Sequence, residues 1–241
     1  MANTTPKTSS YLTDKRFEEV SMEHLRTHTS ILKELGTKEI VKDRKLQKEG
    51  IDLICDIPRF FSQSLFKFKN KYVDVKAVST MLPTFSFELL NDQSGNIGWF
   101  INDELKTEYY LLVYHEIDGC GCSYTRNKAA INVDNVIHTR ALLIKKSKLR
   151  KYVEEQLNGV SYEQIIEEIQ EESKDKKGRQ KYVLSNKHIK EKDKNGGNEI
   201  YFTVSNQLRE RPINVIIRRT KLEEMAERIW DVDGNGKNYI S

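Results

Sequence analysis

Between Gly50 and Glu116 the chain sets charged residues inside short β-type runs, and this placement limits what it can fold into more than any other feature. Tyr72 to Val78 is apolar except for Asp74 and Lys76. Side chains alternate along a strand, so residues two apart stand side by side on one face. A carboxylate and an ammonium would be costly on a buried face without further partners, so that face is expected to open to a cleft. Ile51 to Ile57 is a second run, interrupted by Asp52 and Asp56, and pairing of the two runs sets Asp52 opposite Asp74 and Lys76. Thr84 to Leu90 alternates, with Phe85, Phe87 and Leu89 on one face and Ser86, Glu88 and Leu90 on the other, which makes Glu88 a third candidate carboxylate. Tyr109 to Tyr114 is the most continuous strand signal and is expected at the centre of a sheet.

The flanking segments read as support. Residues 1–12 lack periodicity and are expected to be a disordered lead-in. From Asp14, the residues Phe17, Val20, His24, Ile31 and Leu35 share a helical face, with Gly36 as its cap. His24 and His28 fall near that face and are expected to be packed or hydrogen-bonded. Pro58 to Asn70 suggests a hairpin connection. Val136 to Lys145 predicts a strand that turns into a helix near Ser147, and Ser161 with Gln164 forms a capping box for a further helix. Residues 174–198 predict a solvated, mobile loop or an extended hairpin. Ile200 to Val204 and Ile213 to Ile217 read as strands, the second followed by a helix over Leu222 to Trp230. The alternation predicts an α/β (α+β) fold with a mixed central sheet flanked by helices. In domain terms, 13–146 is expected to be the core and 147–241 a helical and basic part of the same domain.

At 241 residues the chain can bury a self-sufficient core without a metal or disulfide staple. Its net charge of +4 is modest, but Lys and Arg crowd into 140–194, which suits a polyanionic partner. Lys106, Lys145, Lys146 and Lys148 are the candidate phosphate contacts. The lysines of 174–194 are interleaved with acids and fit a solvated face equally well. Three cysteines are too few for a disulfide framework, the N-terminus lacks an apolar signal region, and no run approaches a membrane span. These features predict a cytoplasmic protein. His115 with Cys120 and Cys122 gives only three zinc-type ligands at an unusual spacing. Asp231 to Gly236 starts like a calcium loop, but the bidentate glutamate that such a loop requires does not follow. Gly98, Trp99, Tyr109 and Tyr110 suit either a stacking groove or the core.

Clustered carboxylates beside a lysine suit phosphodiester hydrolysis, because hard oxygen donors hold magnesium and an ammonium orients water and stabilises developing charge. The same residues equally describe a turn cap and an ion pair on an edge strand. The ordered series Gly-Ile-Asp (50–52), Tyr-Val-Asp-Val-Lys-Ala (72–77), Thr-Phe-Ser-Phe-Glu-Leu (84–89), Gly-Trp-Phe (98–100) and Lys-Thr-Glu-Tyr-Tyr-Leu (106–111) resembles the core of the PD-(D/E)XK, restriction-endonuclease-like nuclease superfamily. The resemblance implies Asp52 and Asp74 as ligands of Mg2+ or Mn2+, Lys76 as the water-orienting residue, and Glu88 as a further ligand. A glutamate in the first helix is common in that superfamily, with Glu19 and Glu23 as candidates. Ile51 replaces the proline that often precedes the first aspartate. The implied activity is metal-dependent endonucleolytic hydrolysis of DNA, by the chain alone, as a homodimer or with a partner subunit. The alternative is a non-catalytic nucleic-acid-binding or assembly protein on the same fold.

Overall fold

The computed structural model describes residues 11–61, 64–118, 131–182, 200–206 and 208–233. In chain order the elements are α1 (Tyr11–Thr27), α2 (Ile31–Glu34), β1 (Thr37–Ile40), α3 (Arg44–Lys48), β2 (Leu53–Phe61), β3 (Ser64–Val78), β4 (Thr84–Asn91), β5 (Asn96–Ile97), β6 (Tyr109–Ile117), β7 (Val136–Lys145), α4 (Lys146–Leu157), α5 (Tyr162–Ser173), β8 (Arg179–Tyr182), β9 (Ile200–Ser205), β10 (Pro212–Arg218), α6 (Arg219–Met225) and β11 (Arg228–Asp233). The fold is mixed α+β, as expected. The chain divides into two interleaved units, one formed within Ser10–Leu82, Glu104–Ser147 and Glu223–Ser241, the other within Pro83–Asp103 and Lys148–Leu222. No helix among the described residues is long and apolar enough to cross a membrane.

The first unit is built on a six-stranded sheet of order β1-β2-β3-β6-β7-β11. Only β3 and β6 run parallel, with Val73 opposite Tyr109 and Lys76 opposite Leu112. A parallel pair needs a long crossover, here residues 79–108, and that excursion carries β4 and β5. β6 is buried along nearly its whole length, which matches its continuous apolar run. One face of the sheet packs Leu53, Val73, Leu111, Leu143 and Trp230 against Leu25, Ile31 and Leu35 of the N-terminal helices.

The single helix expected over 14–35 is two helices. Thr27 Oγ1 donates to the Glu23 carbonyl at 2.7 Å and Thr29 Oγ1 to the Leu25 carbonyl at 2.8 Å, so hydroxyls compete for the helix's own acceptors where it breaks. Pro58 to Asn70 is not a connection, since β2 and β3 extend through it to Phe61 and from Ser64. The Lys67-Phe68-Lys69 alternation already has the strand period. Trp230 lies in a strand, because the helical pattern of Leu222 and Met225 gives way to the alternation of Ile229 to Val232.

The second unit holds the five-stranded sheet β5-β4-β10-β9-β8, antiparallel throughout. Ser161 caps α5 as expected, accepting from Gln164 N at 3.2 Å while the Gln164 side chain accepts from Ser161 N at 3.0 Å. Arg179–Tyr182, expected in a mobile loop or an extended hairpin, forms β8 at the edge of this sheet, paired antiparallel with β9. Of the expected loop, 183–198 lies outside the described residues, as do 1–10 of the expected lead-in, whereas Tyr11 and Leu12 begin α1.

Candidate functional site

Asp52 takes its place from the turn that precedes it. Gly50 has φ +76°, and a Cβ there would lie 2.3 Å from Thr107 Oγ1, which donates to the Gly50 carbonyl at 2.8 Å. Beyond this turn the Asp52 N–H donates to the Val73 carbonyl at 3.0 Å, and Asp52 Oδ2 accepts from Val75 N–H at 2.8 Å. Both ends of the residue are thereby fastened to β3 on either side of Asp74.

Asp74 is 3 % exposed, in a strand flanked by β2 and β6. Its carboxylate is within hydrogen-bonding reach of Asp52, and Lys76 Nζ lies 2.9 Å from its Oδ1. Burial pushes the Asp74 carboxyl up to about 7; Lys76 opposes that shift and the charge of Asp52 adds to it. For Lys76, burial disfavours the ammonium, but Asp74, Asp52 and Glu18 outweigh it and the net direction is upward. The ammonium therefore stays charged beside a carboxyl that gives up its proton only near neutrality.

The donors fit a small hard cation. Two carboxylates held against each other in a buried setting repel when both are ionised, and a divalent ion between them relieves that repulsion. Among the described residues no group of three or more His, Cys, Asp and Glu side chains is arranged to hold a metal. Two carboxylates with water and a substrate phosphate nevertheless match the way magnesium is commonly bound.

Glu18 is the helix acid that acts on Lys76, and it was not among the sequence candidates. Glu19 pairs with Arg16 at 3.5 Å and Glu23 with Arg26 at 2.7 Å, whereas Glu18, which is exposed like Glu19, contributes its charge to Lys76. The signal for Glu18 was its position next to Phe17, at the border of the apolar face. Glu88 is carried by β4 of the other unit, opposite Asn214 of β10. Lys106 is exposed but ion-paired with Glu49 at 2.9 Å, and its N–H donates to the Glu49 carbonyl. Lys145 and Lys148 are exposed, whereas Lys146 is buried and its N–H donates to the Glu108 carbonyl. Glu108, which sequence inspection passed over, ties three elements together. It accepts from Lys71 Nζ at 2.7 Å and from Tyr72 N–H at 3.1 Å, so it fixes where β3 and β6 start together.

Tyr109 and Tyr110 are buried, and the Trp99 ring lies against Phe87 and Phe100 at 5.6 and 6.4 Å, which is core packing. His115 is also buried, bonded to Ser21 Oγ at 2.7 Å and to Thr139 Oγ1 at 2.9 Å. Cys120 and Cys122 lie outside the described residues. Asp231 and Asp233 belong to β11, and Asp231 pairs with His138 and Arg140. Comparison of the chain with protein-family models, with curated proteins and with solved structures finds no match.

Proposed function

We propose that the protein is a divalent-metal-dependent endonuclease that hydrolyses DNA phosphodiester bonds. The observation that carries this is the buried Asp74 carboxyl, in reach of both the Asp52 carboxylate and the Lys76 ammonium. The resemblance of residues 50–111 to the PD-(D/E)XK superfamily and the mixed sheet beneath these residues support it. Asp52 and Asp74 would hold Mg2+ or Mn2+, and the bound ion would supply Lewis-acid neutralisation of phosphate charge.

The chain's own residues supply the rest. The Val75 amide holds the Asp52 carboxylate in place, so it need not reorganise when substrate arrives. Lys76 donates hydrogen bonds to the attacking water and to the scissile phosphate, which orients one and stabilises charge gathering on the other. Water attacks phosphorus directly and gives up a proton to solvent as the new P–O bond forms, the P–O bond to the leaving 3′ or 5′ oxygen breaks, that oxygen takes a proton from solvent, and no covalent intermediate forms. Tyr109 and Tyr110 are buried in β6 opposite Val73 and Asp74, and they point to opposite faces of the sheet. A cytoplasmic setting is consistent with Cys55, which is a buried free thiol.

Plasmid and linear DNA incubated with the protein in Mg2+, Mn2+ or EDTA test this. Cleavage should require metal and fall at least about 100-fold in Asp74→Ala and in Lys76→Ala. Cleavage that survives both substitutions removes the site assignment. DNA binding without cleavage under either metal favours a non-catalytic scaffold instead.

A further inference from the structure

The five-stranded unit carries a cluster of cations that the site above does not use. Between Lys174 and Tyr182 the chain has five lysines and arginines and one acid, Asp175. Lys174 pairs with Glu171, but Lys176, Lys177, Arg179 and Lys181 make no ion pair with an acid among the described residues. Arg179 and Lys181 are placed by the edge of the sheet, whereas the Lys176 N–H donates to the Ser173 carbonyl at the end of α5. The turn at Gly178 accepts from Asn206 N–H at 3.0 Å, and β8 then pairs with β9 through Arg179 opposite Ser205 and Lys181 opposite Thr203.

Alternation puts Arg179 and Lys181 on one face of the strand pair, together with Tyr201, Thr203 and Ser205. Lys181 Nζ sits 4.1 Å from the centroid of the half-buried Tyr201 ring. On the opposite face Lys176 Nζ lies 5.2 Å from the Tyr182 ring. Aromatic faces thus hold the ammonium groups where carboxylates would otherwise neutralise them. Across from Lys181, the Thr203 hydroxyl is buried with no hydrogen-bond partner among the described residues. Lysines on an edge strand also discourage sheet-to-sheet pairing, but that role calls for neither the tyrosine platform nor the unused hydroxyl.

We infer that the β8–β9 face around Tyr201 is a second nucleic-acid contact surface, which binds a sugar–phosphate backbone through Arg179 and Lys181. Cations with no acid partner among the described residues release counterions when they meet phosphates, and the half-buried Tyr201 ring offers a surface on which a base can stack. The surface rests on DNA being the ligand and does not depend on cleavage chemistry.

Fluorescence anisotropy with labelled single-stranded and duplex DNA, in EDTA, separates the two claims. The full chain should bind without metal. Replacing Arg179→Gln together with Lys181→Gln should weaken binding at least about tenfold and reduce the salt slope of log K by roughly 1–2. Lys42→Gln with Lys45→Gln, an equal charge change on exposed positions of the other unit, should leave the slope near that of the wild-type chain. Arg179→Lys with Lys181→Arg should restore binding, which excludes a folding defect, and Tyr201→Leu should weaken single-stranded DNA more than duplex. A wild-type chain that does not bind DNA in EDTA, or a Gln pair indistinguishable from the Lys42 and Lys45 control, overturns the inference. Loss of cleavage alone, with these binding differences intact, counts only against the catalytic site.

Discussion

Lys76 Nζ and Asp74 Oδ1 lie 2.9 Å apart on one face of β3, yet the Asp74 carboxyl is held up to about 7. An ion pair ordinarily lowers a carboxyl pKa, so burial together with the nearby Asp52 outweighs the lysine here. The sign matters for stability. A carboxyl whose folded pKa exceeds its unfolded value binds its proton more tightly when folded, so its contribution is present at low pH and is lost as pH rises through about 7. At pH 8 the folded chain therefore holds an ionised pair that it would be more stable without.

A divalent cation should recover that cost. Mg2+ or Mn2+ at tenfold its Kd stabilises a site by about 1.4 kcal/mol, a Tm rise of a few degrees for a chain of this size. Thermal unfolding at pH 8 should show the rise. It should shrink toward pH 6, where protonated Asp74 no longer competes for metal, and vanish in Asp74→Ala. A shift that is equally large at both pH values would mean that the ion binds elsewhere.

Glu18 differs from its neighbours by acting on Lys76, whereas Glu19 is engaged by Arg16. Glu18→Gln should remove the weakest of the negative charges that favour the Lys76 ammonium and should lower metal-dependent cleavage a few-fold. Glu19→Gln should leave cleavage near wild type. The readout that a merely structural role would not move is the alkaline limb of the pH–rate profile, which should shift to lower pH in Glu18→Gln alone.

The contrast between these two glutamates shows where sequence was sufficient and where it was not. Asp74 and Lys76 were legible because strand alternation fixes their common face without knowledge of anything else. The centrality of β6 followed from its unbroken apolar run, and the Ser161 cap from a local hydrogen-bond pattern. The charge of Glu18 on Lys76 was not legible, because helical periodicity identifies the buried stripe but not which exposed acids lie within electrostatic range of a strand distant in sequence. Glu88 is expected from the alternation of Thr84 to Leu90, and β4, which carries it, belongs to the five-stranded sheet, a property of topology that alternation does not reveal. Trp230 was lost to a competing period, since one helical turn and a strand meet within nine residues of Leu222.

Gly50 supplies the turn that delivers Asp52 to β3. Its φ of +76° lies in the left-handed region, and an added Cβ would also press on Thr107 Oγ1. Gly50→Ala should therefore cost about 1–2 kcal/mol in denaturant unfolding. Thr107→Ser keeps the hydroxyl that donates to Gly50 and should cost less. If Gly50→Ala is neutral, the backbone strain invoked here is absent.

Beneath α1, Ser21, His115, Thr139 and His24 form a buried chain of hydrogen bonds, with Thr139 Oγ1 and His24 Nε2 3.1 Å apart. Burial pushes His24 down to about 4 and His115 down to about 3, each helped by a neighbouring imidazole, His28 in the first case and His24 in the second. A histidine with a depressed folded pKa binds protons more readily when unfolded, so stability falls as pH drops from about 6.5 through the folded values. The two imidazoles should lower the unfolding free energy by a few kcal/mol between pH 7 and pH 4.5 at constant ionic strength. The decline is best read in an Asp74→Asn background, because protonation of Asp74 opposes it in the wild-type chain. His115→Asn should be less stable than wild type at pH 7, because Ser21 and Thr139 lose a shared partner, but its decline with acid should be shallower. Parallel curves for the two proteins would assign the acid sensitivity to other groups.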